Sequence, residues 1–375
     1  MYFDLHTWLF ILRQMIREPF RPRRALFLAS VFVGLTLFGL VSFVALALDH
    51  VFFPGFRKVR VKQPIFIVGN GRSGTTHMHR LLSGDEGRFT YFRTYEMLLP
   101  SILQKKILWW MGDLDRILLK GAIQRWLKTT EDDALDDIRS KHNWQLDGAE
   151  EDDFLWYHNF SSGSIFWPFN YPELVARLRA DELPERTRRR QFGYYKSLIQ
   201  RQIYLYGEEK IHCCKSPSFT MKVRALHETF PDGRFVMMFR HPAESIPSLV
   251  DFMSWYWRGF GSPPELVERC AAQLGESNIE NYRYLAEMIE ELPKEQQAVV
   301  DFEALVKDPK AAVEALYQGF GLEVAPEFDA FLDAEREKAA QFVSGHDYDP
   351  EGQGVERARL FEELGDLYPR FGWEP

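Results

Sequence analysis

PIFIVGNGRSGTTHMHRLL, residues 64–82, is an apolar run that ends in glycines and then resumes with helical spacing. Ile65, Phe66, Ile67 and Val68 are uninterrupted, as expected of a central parallel strand covered on both faces. Gly69, Gly71 and Gly74 permit positive φ and let backbone amides approach an anion, while Thr75 and Thr76 open a helix whose N-terminus faces it. Strand, phosphate loop and helix together predict an anion site in an α/β fold. Residues 69–76 fit part of the nucleotide phosphate-loop pattern, but Thr75 stands where that pattern has lysine, which argues against an ordinary ATPase or kinase. Arg72, inside the loop, carries a planar guanidinium able to hold two oxygens of a phosphate or sulfate.

A chain of 375 residues, 46% hydrophobic and 15% aromatic, buries a full α/β core even with an N-terminal apolar segment set aside, so one catalytic domain is the economical reading. The formal net charge of −8 gives no global basic field, so nucleic acid is not an expected partner and any basic site is local. Cys213, Cys214 and Cys270 offer neither a disulfide framework nor zinc-ligand spacing.

Upstream of the loop, Tyr2, Leu5, Trp8, Leu9, Leu12 and Ile16 share one helical face and Asp4, Arg13 and Arg17 lie away from it, which suits an interfacial amphipathic segment over residues 1–24. Residues 25–48 carry no charge and are long enough to cross a hydrocarbon core. The expectation is a transmembrane anchor over 25–53, ahead of a catalytic domain over 57–375 that stays soluble when residues 1–56 are removed. Asp49, His50 and VFFPGF follow the span in place of a small-residue cleavage site, against a cleaved signal peptide. Basic residues flank it on both sides and do not orient it. Few cysteines and a lone sequon, Asn159-Phe160-Ser161, favour a single-pass protein with its domain on the cytoplasmic side of a bacterial-type inner membrane; a Golgi-lumen orientation is the alternative.

Past the loop, TYFRTYEMLLPS places Glu96 among aromatic and apolar residues, where desolvation would raise a carboxyl toward the pKa of a working base. Residues 101–126 read as an apolar, Trp-rich helical lid or acceptor wall. The acidic stretch 131–153 lacks the residue order of a calcium loop and reads as a solvated face. FLWYHNFSSGSIFWPFNY, 154–171, suits an acceptor pocket or aromatic core packing equally. KIHCCKSPS, 210–218, is a second strand ending in Lys215 and a Ser-Pro turn, and RFVMMF, 234–239, is a third, followed by Arg240, His241 and Pro242 and, further on, Ser248. In a parallel sheet the ends of such strands face one crevice, so Arg240 and Ser248 can grip a second phosphate.

RSGTT at 72–76, CCKSPS at 213–218 and FVMMFRHPAESIPSL with Arg240 and Ser248 resemble, in order and spacing, the sulfotransferase family that uses 3′-phosphoadenosine 5′-phosphosulfate (PAPS). VVDFEALVKDPKAAVEALYQGFGL at 299–322 is similar to that family's downstream strand and helix, and SGHDYDPEGQGV at 344–355 is a weaker echo. The resemblance implies a P-loop-like three-layer α/β/α fold with a central parallel sheet, preceded here by the N-terminal transmembrane helix. It implies that Arg72, Ser73, Gly74, Thr75 and Thr76 hold the 5′-phosphosulfate and that Arg240 and Ser248 hold the 3′-phosphate.

By resemblance to membrane-bound members such as the tyrosylprotein sulfotransferases, Glu96 is the expected base and Lys215 stabilises the transferring group; His142 and His158 are the next candidates for the base. The implied reaction moves a sulfuryl group from PAPS to a hydroxyl or amine by in-line displacement, with Arg72 and Lys215 neutralising charge and no metal. The acceptor is open among small-molecule, lipid, glycan and peptide hydroxyls, and membrane proximity favours a lipid. A nucleotide kinase or ATPase, and a non-catalytic membrane scaffold, are the competing functions.

Overall fold

β1 (Ile65–Gly69), the strand expected from the apolar run, is buried along its whole length. The computed structural model describes residues 2–139, 147–177, 179–341 and 357–374. In it β1 is joined by β2 (Phe89–Thr90), β3 (Ile211–Lys215), β4 (Arg234–Phe239) and β5 (Gln297–Asp301) in the order β2-β3-β1-β4-β5, all pairs parallel. Alternation along the strands divides the core into two layers. Phe66, Val68, Cys214, Phe235 and Met237 face Tyr195, Leu198 and Ile199 of the helix Glu185–Tyr206 and Tyr282, Leu285 and Met288 of the helix Pro264–Glu291. Ile65, Ile67, Cys213, Val236 and Met238 face Met78, Leu81 and Leu82 of the helix Thr75–Ser83 and Val313 and Leu316 of the helix Pro309–Gly319. This is a three-layer α/β/α fold. Adjacent cysteines on β3 thus point into opposite layers, and all three cysteines are buried and free.

β1 lies between β3 and β4, so the chain leaves it toward both sides, and the crevice at such a switch point opens at the carboxyl ends of the strands. Ile67 pairs with Lys215 and Gly69 with Met238, which brings the loop after β1, the end of β3 and Arg240 after β4 to one edge.

The helix Pro22–Phe52 is long and apolar enough to cross a membrane. Residues ahead of the expected boundary at 57 nevertheless pack on residues beyond it. Leu28 and Phe32 share an apolar cluster with Phe160, Ile165, Phe166, Phe169 and Trp257. Near its start, buried Arg24 pairs with Glu18 and donates to Ser262 Oγ (2.7 Å) and Asn170 Oδ1 (3.0 Å). At mid-length, Gly39 sits so close to the His158 carbonyl that a Cβ would lie 2.4 Å from its oxygen. Near the end, buried Asp49 pairs with Arg201 (2.8 Å) and accepts from Ser101 Oγ and the amides of Ile102 and Leu103, capping the helix Ile102–Leu118. Hydropathy registered the helix's length and apolarity; the polar residues near its ends show where it docks.

Candidate active site

The loop after β1 is built as its glycines require. Gly74, the residue before the helix Thr75–Ser83, has φ 83°, and a Cβ there would lie 2.7 Å from the Phe302 ring, so glycine is required on both conformational and steric grounds. Arg72 takes a left-handed conformation, φ 67°, uncommon for a long side chain. In that conformation its carbonyl accepts from Arg240 Nη1 (3.0 Å) and its Nε donates to Ser248 Oγ (3.1 Å). The first expected anion motif is thereby joined to the second. Arg240 also pairs with Glu244 (2.8 Å) and lies over the Phe302 ring. Asn278 and Asn281, on the helix Pro264–Glu291, hold Asn70 in place: Asn70 Nδ2 donates to the Asn278 carbonyl, and Asn281 Nδ2 donates to Asn70 Oδ1.

A cavity of about 1290 Å³ opens over this loop, larger than the roughly 300–1,000 Å³ of a common small-ligand pocket. Arg72, Gly74, Thr75, Thr76 and Arg240 line it. Ser73 and Ser248 are buried in its wall, and Ser248 reaches it through Arg72. Its lining also includes apolar Phe166, Trp167, Leu249, Phe252 and Met253, and the Phe252 ring lies 5.7 Å from the Arg72 guanidinium. Its carboxylates are Glu151, Glu244, Glu303 and Glu335.

Glu151 was not singled out in the sequence, where it lies in the stretch read as a solvated acidic face. That expectation fails at its C-terminal end: Glu150, Asp152 and Asp153 are buried and Glu151 nearly so, each with a partner. Lys215 Nζ, itself fully buried, lies 2.7 Å from Glu151 Oε1 and 3.6 Å from Glu150 Oε1. Burial raises the Glu151 carboxyl above its usual range; Lys215 pulls it back, and neighbouring Glu150 pushes it up again. Burial alone would also raise Asp153. Lys222 at 2.7 Å and the donors Ser162 Oγ and Ser164 N outweigh it and bring this carboxyl down to about 2. Asp153 thereby holds residues 162–164, two of which, Gly163 and Ser164, line the cavity. Four acidic residues in a row, with Lys215 and Lys222 downstream, were the available signal.

Glu96 lies elsewhere. Its fully buried carboxylate pairs with Lys105 (3.2 Å) and accepts from Tyr206 (2.8 Å), Gln202 (3.2 Å) and the Arg93 amide (2.9 Å), and it is not among the cavity's lining residues. The residue expected as the base thus stands outside the cavity's lining, with its carboxylate occupied by these partners. His158 is buried against Tyr194, and burial brings it down to about 4; it does not line the cavity either. His142 and residues 344–355 lie outside the described residues. The Asn159 side chain is buried and accepts from Ser161, so the sequon is an internal turn. Asp152, His212 and Cys214 place ligand-type atoms close together, but His212 Nε2 is 2.7 Å from Asp152 Oδ2 and Tyr195 donates to the same oxygen at 2.6 Å. Those are hydrogen-bond spacings, and the group reads as a buried polar network behind Glu151.

Residues 64–326 match the sequence profile described as Sulfotransferase family. The omega-hydroxy-beta-dihydromenaquinone-9 sulfotransferases Stf3 of Mycobacterium bovis and Mycobacterium tuberculosis are each 25% identical over 323 residues, 83% of this chain and 75% of theirs. Among solved structures, sulfotransferase STF9 from Mycobacterium avium superposes with a TM-score of 0.74 at 18% identity, covering 99% of this chain and 93% of its own. Sulfotransferase STF1 from Mycobacterium tuberculosis gives 0.66 at 18% identity, over 96% and 92%. Coverage of 99% extends the shared fold through the N-terminal helices as well as the sheet. With two anion motifs joined at one cavity and a family match over most of the chain, the protein belongs to the sulfotransferase family.

Proposed function

We propose that this sulfotransferase moves the sulfuryl group of PAPS to the hydroxyl of an apolar, lipid-like acceptor, with Glu151 as general base. The observation that carries it is one cavity lined together by Arg72 and Arg240, by the apolar Phe252 and Met253, and by Glu151, whose carboxylate Lys215 contacts. The residues suit the donor: Arg72 to Thr76 present backbone amides and a guanidinium at a helix N-terminus, while Arg240 and Ser248 offer a second cationic, hydrogen-bonding grip. Its volume leaves room for an acceptor beside the nucleotide. The mycobacterial relatives are named for a hydroxylated menaquinone, which supports an apolar alcohol against the aromatic lining residues.

When bound, the donor supplies a sulfuryl group that passes in line from its bridging phosphate oxygen to the acceptor oxygen. Glu151 takes the acceptor's proton as that bond forms. Lys215 keeps Glu151 ionised against burial, and Arg72 neutralises charge spreading over the equatorial oxygens, where a fixed donor in a dry site is typically worth about 10²-fold or more.

Titration tests the donor assignment. Wild-type protein should bind 3′-phosphoadenosine 5′-phosphate more tightly than ATP, and Arg240→Ala should weaken it about tenfold or more while hardly changing binding of the analogue without the 3′-phosphate. Equal losses for both nucleotides would overturn the placement of that phosphate. The pH profile tests the base. A base works unprotonated, so a raised Glu151 carboxyl puts the acidic limb of kcat/KM above the ordinary glutamate range. Lys215→Met removes the cation that favours the carboxylate, and the limb should move to still higher pH; an unmoved limb would show that it belongs to another group.

A further inference from the structure

The geometry points to a monotopic membrane protein: we propose that one face, formed by the helices Leu5–Arg17, Pro22–Phe52, Ile102–Leu118 and Ala122–Arg139, sits in a single leaflet of an anionic bilayer, with no segment crossing it. The helix Pro22–Phe52 has 31 residues, about 46 Å at about 1.5 Å per residue. It touches the catalytic domain near its start through Arg24, at its middle through Gly39 and near its end through Asp49. A helix fastened along its length to one water-soluble domain cannot also thread through hydrocarbon to the far side. Crossing would strip Arg201 and Arg24 of their buried partners.

The opposite side of that helix is bare and apolar, with Leu26, Leu37, Leu40, Val41 and Val44 exposed. The bare surface continues onto neighbouring helices. Phe20 is 81% exposed ahead of it, and beyond it Ile117 is 75% and Trp126 64% exposed. Lys106 over the Phe53 ring marks the junction. A contiguous apolar area of this kind on a soluble domain marks an interaction site.

Charge selects the occupant. Residues 1–62 and 102–130 hold 15 lysines and arginines against 5 aspartates and glutamates, in a chain whose net charge is −8. Exposed Arg13, Arg17, Arg21 and Arg23 flank one end of the long helix, and Arg57, Lys58, Arg60 and Lys62 flank the other. A basic rim around an apolar face complements anionic lipid headgroups and repels a second copy of itself. Leu28 and Phe32, on the inner side of the long helix, pack in one cluster with Phe166 and Met253, which line the cavity. The inserted face therefore backs onto the wall that an apolar acceptor would meet.

The test uses the full chain added to sealed vesicles of phosphatidylcholine and phosphatidylglycerol, with single cysteines introduced at exposed positions; native Cys213, Cys214 and Cys270 are buried. Arg21→Cys and Arg57→Cys, in the exposed basic rim, bracket the long helix and should both react with an impermeant maleimide added outside. Fluorophores on Leu37→Cys and Leu118→Cys should both be quenched, most strongly by nitroxide near the headgroups, as insertion to roughly 5–10 Å requires. Ile117→Lys with Leu118→Lys should lower vesicle affinity about tenfold or more, the loss expected for removing even one buried aliphatic side chain, while leaving nucleotide affinity unchanged. Labelling of only one bracketing cysteine until detergent is added would show a spanning helix and overturn the proposal. So would absence of quenching at Leu118→Cys, or a dimer that buries the face in solution. None of these outcomes bears on the reaction, which nucleotide titration reads separately.

Discussion

Glu151→Gln, nearly isosteric, is expected to lower turnover by about 10²–10⁴-fold and to leave nucleotide affinity nearly unchanged, because a general base acts on the chemical step. The substitution keeps the shape of a side chain in the cavity wall and removes the carboxylate that Lys215 holds at 2.7 Å. Glu96→Gln should behave differently. It weakens a fully buried pair with Lys105, so its cost appears in thermal stability, with the activity per folded molecule retained. Rapid-quench measurement of single-turnover rates for both variants, beside their melting temperatures, separates the two roles. A large single-turnover loss in Glu96→Gln with Glu151→Gln active would return the base to the earlier position.

Removal of residues 1–56 is expected to prevent folding, the reverse of what the apolar pattern alone suggested. The deletion strips Arg201 of Asp49, and breaking one partner of a buried pair costs about 3–5 kcal/mol. It also takes away Leu28, Phe32, Leu46 and Phe56, all buried, each worth about 1.5–3 kcal/mol. Those losses rival the whole stability of an ordinary domain, about 5–15 kcal/mol. Expression of residues 57–375 with circular dichroism and nucleotide titration checks this: aggregated or unfolded protein is the expected result. A soluble fragment that melts cooperatively and binds nucleotide would show that the N-terminal helices are dispensable to the fold.

What the chain disclosed about itself followed the range of the interactions. The loop at residues 69–76 was legible because strand, glycines and helix start are adjacent, and the positive φ at Gly74 follows from local sterics. Arg240 and Ser248 were legible as the end of a later strand, and the parallel sheet brought them to Arg72. Glu151 was hidden because its environment is made by Lys215, sixty-four positions away in sequence. An acidic run looks the same on a surface and in a pocket until its cations are placed. Glu96 shows the same limit: its apolar setting is legible, but Lys105 and Tyr206, which occupy its carboxylate, cannot be seen from TYFRTYEMLLPS. For the long helix, composition reported apolarity and length, whereas its docking is carried by Arg24, Gly39 and Asp49, whose partners lie in distant segments.

The same distinction sets the acid response of the cavity wall. Asp153 is depressed to about 2 in the folded protein against an unfolded value of 3.8, so its stabilising contribution is present above the unfolded value and is lost as pH falls through the folded one. Lys222→Met should therefore lower stability at neutral pH and flatten its pH dependence between those two values, as read by denaturant titration; an unchanged slope would detach Asp153 from this pair.

The most direct test of sulfuryl transfer to an apolar alcohol is to supply the full-length protein with sulfur-35-labelled PAPS and lipids extracted from its host's membranes, and to follow the label. Label is expected to move into chloroform-soluble alkyl sulfate with wild-type protein and to remain with the nucleotide in Glu151→Gln. Label confined to water-soluble products in the wild type, with donor bound, would contradict the lipid acceptor; equal transfer by Glu151→Gln would contradict the base.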